Sequence, residues 1–208
     1  RQSSNVSESH VARDPDNRLV SRHRIRRLGA EEVRDSILFV SGSLSEQRFG
    51  KPDPVEVRKD GLVTSKAVHG GWRRSIYVRH RRKEMPSILE TFDLPQMNPN
   101  CTERIDSTVV SQPLYLLNNK MIYELSRSFA DRVEREAGTS LEARVASAYL
   151  LAIGRAATDD QLDAGQTAVL RLTEQWREHG IDDDEAQHRA LADFCHVLLN
   201  AASFLYVD

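Results

Sequence analysis

"TSLEARVASAYLLAIGRAATDDQLDAGQTAVLRLTEQWREHGIDDDE", residues 139–185, decides the fold because it holds two complete helix patterns and the start of a third. Thr139 with Glu142, and Thr158 with Gln161, have the capping-box spacing, in which a hydroxyl and a carboxyl or carboxamide three residues on satisfy each other's free amide donors. Leu141, Val145, Ala148, Tyr149 and Ala152 follow the first signal, and Leu162, Val169, Leu172 and Trp176 the second. Both sets recur at helical spacing. Gly180 then stops the second helix, and the acidic run at Asp182 suits the N-terminus of a third that buries Leu191, Phe194, Leu198 and Leu205. Three apolar stripes are buried most simply against one another, so the sequence predicts an antiparallel helical bundle.

Upstream, the pattern extends the bundle and then changes character. Leu114, Leu117, Met121, Ile122, Leu125, Phe129 and Val133 form a helical stripe within residues 112–136, in two segments divided near Asn118 and Asn119. Pro86, Pro95 and Pro99 limit residues 86–105 to a short helix around Ile88, Leu89 and Phe92 followed by an ordered loop. Between Gly50 and Gly71, Asp60-Gly61 flanked by Val55, Val57 and Val63 predicts a β-hairpin. The following "RRSIYVRH" alternates, so the insertion at about 54–80 is a small antiparallel hairpin or three-stranded element in a mainly α protein. Two helices are predicted near 16–26 and 30–41, with Gly42 ending the second and Arg18, Arg22 and Arg26 lining the first. Residues 1–16 are polar and aperiodic and read as an extended lead-in, leaving 17–208 as one domain.

The composition excludes several classes of protein. No run approaches the length of a membrane-spanning helix. Cys101 and Cys195 are the only cysteines, which excludes a disulfide framework, a Cys-x-x-Cys zinc or redox pair and covalent haem attachment within this segment. A single bridge between them stays open, against a buried core thiol at Cys195. The chain starts at Arg1 without an apolar leader, so it reads as a piece of a longer protein or a processed product. The net charge of −2 divides unevenly: residues 1–104 carry 20 basic and 14 acidic side chains, residues 105–208 only 9 against 17. Opposite halves can attract each other, or the basic one can meet an anionic partner.

Candidate sites lie in two stretches. "GGWRRSIYVRHRRKEMP", residues 70–86, places Trp72, Arg73, Arg74, Tyr77, Arg79, Arg81 and Arg82 together with no acid before Glu84. On a strand, Arg74, Ile76 and Val78 would share one face, and Arg73, Tyr77, Arg79 and Arg81 the other. Cations interleaved with aromatics can stack on nucleic acid or contact a glycan. They can equally pair with acidic groups inside the fold while their stems cover apolar surface, which is the expectation here. The second stretch clusters Asn98, Asn100, Arg104, Asp106, Thr108, Gln112, Asn118 and Asn119 around a proline-rich loop, where they can line a cleft or satisfy loop amides and cap helices. No catalytic residue is identified: nucleophile-elbow and phosphate-cradling motifs are absent. No His-x-x-x-His pair occurs, and His188 and His196, eight residues apart, lack an identified third ligand, so no metal is expected.

"DPDNRLVSRHRIRRLGAEEVRDSILFVSG", "WRRSIYVRHRRKEMPSILETFDLPQMNPNCTERIDSTVVSQPLYLLNN", "YLLAIGRAATDDQL" and "LADFCHVLLNAASFLYVD" occur in this order. Together they resemble the PSD-type C-terminal domain of unknown function found in large secreted proteins of planctomycete type. The resemblance runs from about Asp14 to Asp208. It implies a chain end near Asp208, an extracytoplasmic location, and a cytochrome-c-like haem module upstream rather than a cofactor in this segment. The expected partners are then the upstream domains of the same polypeptide or an anionic glycan, with nucleic acid ranked last. The function it implies is that of an accessory or interaction domain; an enzyme acting on carbohydrate or a small molecule near residues 104–112 is the alternative.

Overall fold

The computed structural model describes residues 7–68, 70–81, 83–95, 104 and 107–207. In chain order the elements are α1 (Glu8–Arg13), β1 (Arg26–Arg27), α2 (Ala30–Val40), β2 (Leu44–Ser45), β3 (Val55–Val57), β4 (Val63–Ser65), β5 (Trp72–Arg73) and a 3-10 turn (Ser75–Tyr77). They continue with α3 (Ser87–Thr91), α4 (Ser111–Asn118), α5 (Lys120–Ala137), α6 (Leu141–Ile153), α7 (Asp159–Glu178), α8 (Asp183–Leu199), α9 (Ala202–Leu205) and β6 (Tyr206–Val207). The protein is mainly helical, and its strands pair two by two.

Helix α8 is the axis of the bundle, packed against α5 and α7, while α6 closes the other side against both. Short connections force neighbouring helices to run antiparallel. On α5, Ile122, Leu125, Phe129, Ala130 and Val133 are buried at successive turns. They join one apolar cluster that runs from Ala30 to Leu205. Each large side chain fully buried there contributes about 1.5–3 kcal/mol. At Gly165 of α7 the helices touch so closely that a Cβ would lie 2.6 Å from Val145 Cγ1 and 3.2 Å from Phe194 Cζ.

The helix starts follow the sequence signals with one shift. Thr158 and Gln161 form the expected capping box, and Asp182 caps α8 through the Glu185 amide at 3.3 Å. The cap of α6 is Ser140 rather than Thr139, its hydroxyl accepting from the Ala143 amide at 3.4 Å. The third stripe is also divided, since α8 ends at Leu199 and Leu205 belongs to α9. The break at Asn119 is as expected: its carboxamide oxygen accepts from the Met121 amide at 2.9 Å and starts α5.

The N-terminal region departs most from expectation. A short helix, α1, replaces the extended lead-in, and residues 16–26 form turns instead of a helix. Two side chains cause this by competing for the backbone. The Asp14 carboxylate accepts from the Arg18 and Leu19 amides at 2.7 and 3.0 Å. The Asn17 carboxamide accepts from the Arg22 amide at 3.1 Å and donates to the Arg22 carbonyl at 2.8 Å. Arg22 therefore turns back onto the Asp14 and Pro15 carbonyls, and the expected three-arginine face does not exist. Strand β1 then pairs antiparallel with β6, joining the segment before α2 to the end of the described chain.

The β insertion begins earlier than expected. Strands β3 and β4 form the predicted hairpin, with Val57 opposite Val63 and Gly61 at φ 85° in its turn, a conformation that favours glycine. "RRSIYVRH" adds no third strand to it. Instead β5 pairs in parallel with β2, and the 3-10 turn breaks the alternation from Ser75 onward. An isolated bridge between Asp53 and Val78 ties the two parts together. Among the described residues no helix is long and apolar enough to cross a membrane.

Candidate functional site

The 3-10 turn sorts the arginines one by one. Arg73 is 4% exposed and donates to Asp53 through Nε and Nη2 at 2.8 and 2.5 Å, and to the Phe49 and Lys51 carbonyls at 2.6 and 2.5 Å. Its guanidinium also stacks 4.7 Å from the Tyr77 ring centroid. Arg34 of α2, 1% exposed, reaches into the same region and binds the Arg73 carbonyl and the Ser65 hydroxyl. Asp35 beside it accepts from the Ser75 amide and hydroxyl at 2.7 Å each. Burial lowers the Arg34 pKa, opposed by the Asp35 and Asp53 charges, and the guanidinium stays cationic. These contacts bolt the β cap onto the bundle.

What remains outside is the mixed outer surface of the cap. The Arg74 side chain is 66% exposed, with one contact to Asp35 at 3.2 Å. Arg79 and Arg81 share Glu84 at 3.7 Å each, Arg81 being 60% exposed. Ile76 is 79% exposed while Val78 is buried, so the two do not share a face as strand alternation predicted. Phe49 is 80% exposed and holds φ 65°, the left-handed region that costs a bulky residue about 1–3 kcal/mol. Arg73 clasps its carbonyl and keeps it there. Trp72 takes no part in this face: its indole N–H donates to the Ser65 carbonyl at 3.2 Å and its ring packs on the core.

The described residues of the polar stretch around the start of α4 are engaged within the fold. Asp93, at φ 66°, gathers the Ser107 amide and hydroxyl, the Arg27 guanidinium and the Gln112 carboxamide around one carboxylate. Gln112 is 3% exposed and donates in addition to the Thr91 and Ser107 carbonyls. Arg104 grips Glu31 with two bonds of 2.9 and 2.7 Å, which holds the Glu31 carboxyl below its usual range against the opposing effect of burial. Thr108 meets the Tyr206 hydroxyl at 3.3 Å, and Asn118 donates to the Leu114 carbonyl. Arg104 and Gln112 thus turn to different partners, whereas Asp106, Asn98, Asn100 and Cys101 lie outside the described residues. Cys195 is a free, wholly buried thiol whose pKa is pushed up by desolvation and then by Glu134, so it is neither bridged nor poised as a nucleophile.

A third place emerges only in three dimensions. His188 of α8 directs Nδ1 to Glu134 Oε2 at 3.2 Å and Nε2 to Asp131 Oδ1 at 3.6 Å, both on α5. His196 turns elsewhere, to the Leu116 carbonyl at 2.8 Å, so the two histidines do not converge. Glu134 and His188 line a cavity of about 340 Å³ with Arg144, Asp184, Glu185 and Gln187. A second cavity of about 330 Å³, floored by Leu141, Val169 and Leu191, shares Arg144 and Gln187 with it. One sequence signal for this place existed: Asp131 and Glu134 stand three apart on one helix, the spacing that shares a face. Their meeting with His188, 54 residues later, is a product of the fold.

The chain is thus a helical bundle bolted to a β cap, with exposed apolar and cationic side chains on the cap and a cleft between helices. The chain belongs to the family described as PSD1, protein of unknown function (DUF1553), whose model matches residues 1–169. The match ends within α7, short of the final motif that contributed to the resemblance. No curated protein and no solved structure matches the chain.

Proposed function

We propose that this chain is an accessory interaction domain that docks on a neighbouring domain of the same, longer polypeptide through the outer face of its β cap. The observation that carries the reading is Phe49, an aromatic side chain held in a left-handed backbone conformation with its ring in solvent; Ile76 and Arg74 of the same cap are exposed as well. Strained, over-determined backbone and exposed aromatic, aliphatic and arginine side chains are the ingredients of a contact surface. Charge supports it: Arg74 and Arg81 of the cap keep side chains 66% and 60% exposed while making only contacts of 3.2 and 3.7 Å to carboxylates. The matching surface is apolar with an acidic rim.

The reading includes an extracytoplasmic location and a haem module elsewhere in the longer protein, both carried by the family resemblance. Isolation of the full-length protein, with its localisation and its haem absorption spectrum, tests these two. The docking itself is tested by co-purifying this chain with separately expressed neighbouring regions at low and high ionic strength. A specific complex that weakens with salt is expected, because steering by exposed charge is screened over about 8–10 Å at physiological salt. Failure of every neighbouring region to associate would overturn the reading.

A further inference from the structure

We propose that Asp131, Glu134 and His188 form a divalent-cation site on the α5–α8 face, of the borderline class that takes mixed imidazole and carboxylate ligands, Zn²⁺ foremost. One oxygen from each carboxylate and one ring nitrogen of His188 lie within 4.8 Å of one another. Small rotations about the carboxylates bring such a set to the roughly 2.0–2.2 Å bonds that zinc makes to nitrogen and oxygen. All three residues stand on long, mutually packed helices, so the set is placed by the bundle rather than by a loop.

The surroundings suit an ion as well. Arg144 donates Nη1 to Glu134 Oε1 at 3.2 Å and is itself anchored by Nε on the Gly138 carbonyl at 2.7 Å. That contact fixes the carboxylate with Oε2 turned to His188, the outer support that ligating carboxylates ordinarily have. Glu185, which also lines the cavity, is paired with Arg189 at 2.7 Å and Arg127 at 3.6 Å, so those two cations are engaged away from the set. Three protein ligands leave a coordination position open, and the cavity lined by Glu134 and His188 is where it opens. Arg144 on the same wall favours an anionic group as the exogenous ligand there.

The competing occupant is a proton, which would make His188 an imidazolium clamped between two carboxylates with no metal. Calorimetric titration of the chain with ZnCl₂, alongside thermal unfolding, separates the two. Saturable binding of one ion per chain with a raised Tm is expected, abolished in His188→Gln and weakened about tenfold or more in Asp131→Asn. Asp131 is largely exposed, so its variant folds even if His188→Gln does not. No saturable binding, or binding with the same affinity in Asp131→Asn and His188→Gln, would overturn the site.

Discussion

Arg73 and Arg74 are adjacent in sequence and opposite in fate. Removing the first leaves the Asp53 carboxylate, 2% exposed, without its guanidinium, so Arg73→Ala is expected to cost about 3–5 kcal/mol in urea unfolding. Arg74→Ala removes an exposed contact and is expected to cost under about 1 kcal/mol in the same assay. The distinction could not be read from the run of arginines, because what separates them is Arg34 and Asp35, about forty residues away on α2. Asp14 supplies a pH signature at the same scale. Desolvation pushes its carboxyl up, but donation from the Arg18 and Leu19 amides and from Ser21 outweighs it, and its pKa is lowered. A carboxyl depressed in the folded state gives stability that is present above its unfolded value of about 3.9 and is lost as pH falls through the folded pKa. The stability gap between wild type and Asp14→Asn should therefore be full at pH 6 and shrink below about pH 4.

Among the elements, the helices of the bundle were legible because their signals are local. Thr158, Gln161 and Asp182 lie within a few residues of the amides they satisfy, and the apolar stripes repeat every turn. Thr158→Ala should lower stability by about 1 kcal/mol in thermal or denaturant unfolding. A complementary test addresses the contact between helices: Gly165→Ala inserts a methyl 2.6 Å from Val145 Cγ1, so about 1–3 kcal/mol of destabilisation is expected where helix propensity alone would predict a gain. Local signals also explain the failures. Residues 16–26 carry helix-compatible apolar spacing, but the Asp14 and Asn17 side chains take the backbone amides first. "RRSIYVRH" alternates like a strand, yet Ser75 is held by Asp35 from another helix and the segment turns.

For the whole molecule, a helical bundle with a small β insertion was readable, whereas the functional surfaces were not. The charge division between the halves was visible in the composition, but which arginines it leaves outside was not: Arg73 is spent on Asp53, while Arg74 and Arg81 keep exposed side chains. Whether the polar stretch near Arg104 and Gln112 lines a cleft or satisfies the loop was open in the sequence because the residue types are the same, and only Asp93 shows where Gln112 is spent. The exposed side chains of the cap, Phe49, Ile76 and Arg74, are far apart along the chain or unremarkable in it. The most direct test of the account is the affinity of this chain for its neighbouring domain, measured by surface binding for the wild type and for Phe49→Ala/Ile76→Ala, with thermal unfolding of both. Affinity reduced about tenfold or more is expected in the double variant, as when contact anchors are truncated, with Tm nearly unchanged because both side chains are exposed and the positive φ at position 49 strains Ala as it does Phe. Unchanged affinity in a folded double variant would contradict it.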